Sequence, residues 1–235
     1  MPALVGLVGG IAPESTVDYY RQIIAAYREQ DPERHHPAIL ITSLDLQLTI
    51  QLLNGRRHDE LAAILAGEVA RLERAGASFG AITSNAAHIV FDEVAGRSTL
   101  PLLSIVETTC AAVKRAGIRR PALFATQFVM QAPLYPRVFG PAGLEVLQPS
   151  PADQATIHAH YMDELVAGVF KPETRDIVVS IATRMRDQQG ADGLILGGTE
   201  LNLLLRGVEV AGLPLFDTTR LHVAAIVERL RGATA

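Results

Sequence analysis

Two short segments combine small, polar and ionisable residues of the kind that anion recognition and proton transfer require. One is Thr83-Ser-Asn-Ala-Ala-His88 and the other is Gly197-Gly-Thr-Glu200. Each follows a run of apolar residues. Such groups at the carboxyl end of a strand, where a helix opens, make a cradle for an oxyanion or a carboxylate. Helix capping by Ser84, Asn85 or Thr199 is the plain alternative for either loop alone. Two such loops at matching places favour a site. A third loop, Gly9-Gly-Ile-Ala-Pro-Glu-Ser-Thr16, has glycines for a tight turn and a helix start that offers N–H groups to an anion. It lacks the G-x-G-x-x-G pattern and no Walker lysine follows, so a small carboxylate suits it better than a nucleotide.

These loops need elements to hold them. Ala3–Val8, Ala38–Thr42, Phe79–Thr83, Leu100–Leu103, Ala122–Ala125, Gly193–Leu196 and Leu213–Phe216 read as buried strands. They show no alternation of period two, which fits parallel sheets covered on both faces. Helical stretches lie between them. In Glu14–Glu29, the spacing of Val17, Tyr20, Ile24 and Tyr27 predicts one buried stripe, with Pro13 at a first helical position. In His58–Ala75, the residues Leu61, Ile64, Leu65, Val69 and Leu72 form another, and Gly76 is placed to end the helix. Alternating strands and helices predict an α/β fold with right-handed crossovers.

The chain also partly repeats itself. Gly76-Ala-Ser-Phe-Gly-Ala-Ile resembles Gly190-Ala-Asp-Gly-Leu-Ile-Leu, and Leu100-Pro-Leu-Leu resembles Leu213-Pro-Leu-Phe. Pro2-Ala-Leu resembles Pro121-Ala-Leu, and each runs on to an Ala-Pro, at Ala12-Pro13 and Ala132-Pro133. Matches in order at nearly one offset predict two pseudo-symmetric lobes. Each would hold a short parallel sheet flanked by helices, with the site in the cleft between them at the strands' carboxyl ends. The expected first lobe is residues 1–100 with 211–235, and the second is residues 101–210.

Composition sets bounds on the chemistry. The chain has 235 residues, 49% of them hydrophobic, enough for proper cores and against disorder. Its net charge of −4 leaves no broad basic surface for nucleic acid. Charges interrupt every apolar run and the first residues carry no basic leader, so a cytoplasmic protein without a membrane span is expected. One cysteine, Cys110, excludes an internal disulfide, a Cys-rich zinc site and any reaction needing two thiols from one chain.

Six segments together carry a resemblance. They are Gly9-Gly-Ile-Ala-Pro-Glu-Ser-Thr-Val-Asp-Tyr-Tyr20, Ser84-Asn-Ala-Ala-His88, Leu123-Phe-Ala-Thr-Gln-Phe-Val-Met130, Gly168-Val-Phe-Lys171, Leu196-Gly-Gly-Thr-Glu200 and Phe216-Asp-Thr-Thr-Arg-Leu-His222. In this order the sequence is similar to the cofactor-independent aspartate/glutamate racemase family, nearest its aspartate racemase branch. The resemblance implies two α/β lobes, no pyridoxal phosphate, no metal, a small amino acid or carboxylate as ligand, and a homodimer. It also implies a mechanism in which one thiol flanks each face of the substrate α-carbon, in Cys-Asn-Thr-x-His and Gly-Cys-Thr-Glu. This chain has Ser84 at the first place and Gly198 at the second. A serine is a poor base unless a neighbour activates it, and glycine offers no side chain. By the same resemblance, Ser84, His88, Glu200 and the position of Gly198 form the catalytic set. Gly10, Ala12, Asn85, Ala86, Thr126, Lys171 and Thr199 form the substrate-binding set. Asn85 and Thr199 would cradle the α-carboxylate, and Lys171 would pair with a side-chain acid or else stay a solvated lysine. Ala86 replaces a usual threonine and Ser104 a frequent histidine.

Other residues have plainer readings. Cys110 aligns with Val223 in the repeat and reads as a packing thiol. His158 and His160, two residues apart, would fall on different helix faces and bind no shared metal. His35 and His36 read as solvated. His88 either reaches the site or packs. The functional expectation is a racemase-type isomerase of amino acids with altered chemistry. The alternative is a non-catalytic ligand-binding or regulatory homologue. Decarboxylation or cis–trans isomerisation is disfavoured, because relatives with those activities keep at least one of the two cysteines.

Overall fold

The computed structural model describes residues 3–31, 33 and 35–232. Pro2, which opens one repeat match, and residues 233–235 of the expected first lobe lie outside them. All seven apolar runs are strands, with bounds moved by about two residues at most: β1 (Leu4–Gly9), β2 (Ala38–Ser43), β3 (Phe79–Ile82), β4 (Leu102–Leu103), β5 (Pro121–Phe124), β6 (Gly193–Leu196) and β7 (Leu215–Asp217). They form two parallel sheets of order β2-β1-β3-β4 and β5-β6-β7. The described residues fall into two compact units, 3–105 with 219–232 and Val106–Thr218.

The sheets show the duplication directly. By the sequence matches, β1, β3 and β4 correspond to β5, β6 and β7, and both triplets have the same spatial order. β2 has only a remnant counterpart. A single bridge from Ala122 to Leu147 stands on the outer edge of β5, where β2 stands on β1.

In the first unit, Val5, Leu7, Phe79 and Ala81 point to one face, where α1 (Pro13–Gln30) and α11 (Thr218–Gly232) supply Tyr19, Ile23, Val223, Ile226, Val227 and Leu230. On the other face, α3 (His58–Arg74) lays Leu61, Leu65, Val69 and Leu72 on the sheet. Its Leu72 comes so near that a Cβ at Gly6 would lie 3.0 Å from it. Gly76 ends that helix with φ +94, as its position predicts.

The stripe expected on α1 is not the buried one. Val17 and Tyr20 are 43% and 46% exposed, while Tyr19 and Ile23 are fully buried. Both faces of α1 carry apolar residues, so periodicity alone does not set its rotation. The preceding loop does: Thr16 Oγ1 accepts from Gly10 N–H at 2.9 Å, which turns residues 16, 19 and 23 inward.

In the second unit, α5 (Ile105–Arg115), α8 (Pro151–Asp163) and α9 (Pro172–Gln189) surround the smaller sheet with short helices α6 (Gln127–Gln131), α7 (Leu134–Phe139) and α10 (Thr199–Leu204). The strands β5 and β6 are buried along their whole length. Among the described residues, no helix is long and apolar enough to cross a membrane.

Candidate active site

The first unit's candidate residues lie at the exits of the neighbouring strands β1 and β3. Gly10 has φ +83, and a Cβ there would lie 2.2 Å from the Leu44 carbonyl oxygen and 2.5 Å from its nitrogen. Only glycine fits where the chain after β2 presses on this turn. Leu44 N–H bonds the Gly9 carbonyl at 2.9 Å, closing the turn. The Gly10 amide is taken by Thr16, so this N–H serves the fold. Ala12 begins α1 without a side-chain cap, and its carbonyl accepts from the Thr16 amide at 3.4 Å.

At the exit of β3, Ser84 and Asn85 are buried, with 6% and 4% exposure. Ser84 Oγ accepts from the Ala87 amide at 3.4 Å, the capping contact foreseen as the plain alternative. Ala86 opens the 3-10 turn Ala86–Val90 that carries His88. His88 is fully buried and stacks on Phe91 at 4.9 Å. Its Nδ1 lies 2.7 Å from the Ser84 carbonyl and its Nε2 lies 3.1 Å from the Ile105 amide. A carbonyl only accepts and an amide only donates. Nδ1 therefore carries the proton, Nε2 carries the lone pair, and both nitrogens are engaged with backbone. Burial pushes its pKa down to about 4, partly opposed by the Ser84 carbonyl and Asp92.

His222 lies beside it, ring centroids 6.2 Å apart. Its Nδ1 accepts from the Tyr19 hydroxyl at 3.0 Å and its Nε2–H donates to the Leu103 carbonyl at 3.2 Å. Burial, and then repulsion from His88, lower its pKa to about 3. Two neutral histidines thus tie α1, α11, and the segments around β3 and β4 together.

Several of the second unit's candidate residues lie at the exits of β5 and β6. Gly198 precedes α10 in extended backbone that any residue adopts, φ −138. Space, and not conformation, demands glycine here. A Cβ would lie 2.4 Å from Tyr161 Cε2 and 3.0 Å from its Cζ and hydroxyl oxygen. Tyr161, from α8, donates its hydroxyl hydrogen bond to Glu200 Oε2. Thr199 Oγ1 donates to the same oxygen at 2.7 Å. Tyr161 and Glu200 are both buried, and burial with the adjacent carboxylate keeps the phenol well above its usual range. Thr126 caps α6, and its hydroxyl oxygen is buried without a hydrogen-bond partner.

Lys171 opens α9 with a half-exposed side chain, and its Nζ pairs with Glu164 Oε1 at 2.9 Å. Glu164 also accepts from the Thr174 hydroxyl and lies 3.4 Å from His160 Nδ1. These partners, Thr174 first and Lys171 next, hold its carboxyl down to about 2. His158 instead accepts from the Gln127 amide at 3.3 Å, so the two histidines of α8 have separate partners. Cys110 is a buried free thiol near the Val138 carbonyl, and burial raises its pKa. Among the described residues, no group of three or more His, Cys, Asp or Glu side chains could hold a metal ion.

Tyr161 was not among the expected site residues. Nothing in its local pattern, His-Ala-His-Tyr-Met-Asp, marks it. The one available signal was indirect, a glycine where a side chain was expected.

The Asp/Glu/Hydantoin racemase family model matches residues 8–226, nearly the whole chain. The chain belongs to this family. Its sequence is 23% identical over 225 residues to the broad specificity amino-acid racemase RacX of Bacillus subtilis (strain 168), covering 92% of this chain and 93% of that protein. Among solved structures, it superposes with a TM-score of 0.89 on a Yersinia pestis protein assigned provisionally to the Asp/Glu racemases, at 30% identity and covering 97% of this chain and 99% of that one. The aspartate racemase homologue from Pyrococcus horikoshii OT3 gives a TM-score of 0.84 at 29% identity, with coverage of 98% and 100%. Within the family fold, Ser84 and Gly198 lie at the exits of β3 and β6, the corresponding strands of the two sheets.

Proposed function

We propose that this chain is a cofactor-independent isomerase that inverts the α-carbon of a small amino acid or related carboxylate, with aspartate and glutamate as the first candidates. The observation that carries this reading is the matched pair of loops after β3 and β6, each with buried polar groups at a strand exit. Asn85 is the carboxylate-binding side chain, whereas the single hydroxyl proton of Thr199 is spent on Glu200. The unpartnered hydroxyl of Thr126 supports a binding role, because a buried hydroxyl without a partner carries a cost that a ligand would remove. Ser84 supplies the first unit's reacting group. His88 acts through it as a positioning residue, since its engaged nitrogens hold the Ser84 carbonyl and leave no ring atom for proton transfer. Lys171 spends one of its three N–H donors on Glu164, which an acidic ligand would share.

The test is proton exchange at Cα in deuterated buffer, followed by NMR with L- and D-aspartate, L- and D-glutamate and a 5-substituted hydantoin. Exchange with one of these is expected, falling at least about 100-fold in Ser84→Ala. The absence of both loop thiols favours the second reading, ligand binding without turnover. Calorimetric binding with no exchange would establish that reading in place of the first.

A further inference from the structure

The second unit lacks a side chain at residue 198, yet the space is filled. The Tyr161 ring edge stands 2.4 Å from the Cβ that Gly198 does not have, and the phenol oxygen stands 3.0 Å from it. A side chain from α8 therefore brings a hydroxyl to the place where the racemase resemblance puts a thiol. That hydroxyl is bonded to a buried carboxylate, Glu200, two residues beyond the glycine. Thr199 fixes the same carboxylate oxygen. Filling a gap would need only a phenylalanine. An ionisable pair in a dry setting is costly to keep unless its members are paired and used.

We propose that Tyr161 and Glu200 are the proton-transfer pair of the second unit, standing in for the thiol absent at position 198. This rests on the isomerase reading above. The step runs as a relay. As the C–H bond breaks, its proton passes to the phenol oxygen while the phenol proton passes to Glu200 Oε2. The electron pair stays on the substrate carbon, delocalised into its carboxyl group. Tyr161 is a neutral phenol before and after, and Glu200 ends as the carboxylic acid. In the reverse direction Glu200 returns its proton to the phenol oxygen as the phenol protonates the carbon. The burial that keeps the phenol from ionising suits such a relay, because no phenolate need form. A carboxylate is a weaker base than a thiolate, so this pair suits slower turnover or a more acidic carbon acid than two thiols would.

The test uses the exchange assay on the full chain with Tyr161→Phe and Glu200→Gln. Phenylalanine keeps the ring and its packing, and calorimetric melting checks the fold. Both variants are expected to lose at least about 100-fold in exchange rate, with ligand affinity in Tyr161→Phe changed by less than about tenfold. Glu200→Asp, which keeps the carboxylate on a shorter arm, should retain more exchange than Glu200→Gln. Exchange in Tyr161→Phe within about threefold of wild type would overturn the pair while leaving the isomerase reading intact. A wild type that exchanges none of the probes would overturn both.

Discussion

At pH 4.5 the first unit is expected to have lost a few kcal/mol of the stability it has at pH 7. The cause is the pair of buried neutral histidines. His88 has its pKa lowered to about 4 and His222 to about 3, mainly by burial. In the unfolded chain both titrate near 6.5. A group whose pKa is lower when folded stabilises the fold fully above its unfolded pKa. That contribution is lost as the pH falls towards its folded pKa. The loss therefore starts near pH 6.5 and continues to about pH 3. Each pKa unit is worth ~1.4 kcal/mol, so His88 alone accounts for about 3 kcal/mol across its whole range. His222 adds to this, though by less than a separate sum, because charging one ring opposes charging the other. The Glu164 carboxyl shifts stability in the same direction, with its window around and below its unperturbed 4.5, and His158 in the second unit, lowered by burial, adds in the same window as the pair. The measurement is urea unfolding followed by far-ultraviolet circular dichroism at pH 7, 5.5 and 4.5. Replacing His222 by Gln should lower stability at pH 7 and flatten the pH dependence. An unchanged urea midpoint from pH 7 to 4.5 would contradict the assignment.

The second large effect is expected at Gly198. Gly198→Cys should destabilise the second unit by about 3 kcal/mol, because the added side chain meets a ring held by its bond to Glu200. Tyr161→Ala should cost about 3–5 kcal/mol through the cavity it leaves. The double variant should cost much less than the sum, since cysteine occupies part of the vacated space, and a coupling of about 2 kcal/mol should appear in the cycle. Additivity within about 0.5 kcal/mol would remove the steric argument. The same geometry dictates how thiol chemistry can be introduced. Ser84→Cys with Gly198→Cys alone should show little exchange with aspartate or glutamate. Adding Tyr161→Ala should raise it, with both new thiols titratable by a disulfide reagent.

Much of the architecture was legible because buried parallel strands leave an unmistakable mark. Runs such as Leu4–Gly9 and Gly193–Leu196 are apolar on both faces, and their matched flanks revealed the duplication. The loops after β3 and β6 were legible for a related reason, since small polar residues at strand exits stand out against such runs. The rotation of α1 was not, because a helix with apolar residues on two faces takes its phase from a tertiary bond, here Gly10 to Thr16. His88 was read as either reaching the site or packing, and its engagement was not visible. Its partners are the Ser84 carbonyl and the Ile105 amide, and backbone groups have no letter in a sequence. Lys171 was read towards a ligand, and its bond to Glu164 depends on how α8 ends and α9 begins. Tyr161 was missed because its meaning lies in the empty volume beside another residue, 37 positions away in the chain.

The contact between Tyr161 and Gly198 also limits what position 198 can accept by mutation. Glycine and cysteine codons differ by one base, so a cysteine at position 198 is a single mutation away. With the Tyr161 ring in place, that mutant is a damaged protein before it is a better catalyst. A thiol there requires residue 161 to shrink first, at a stability cost and with nothing yet gained. The pair works as a ratchet: while the ring is in place, the route to a thiol at this position is closed to single steps.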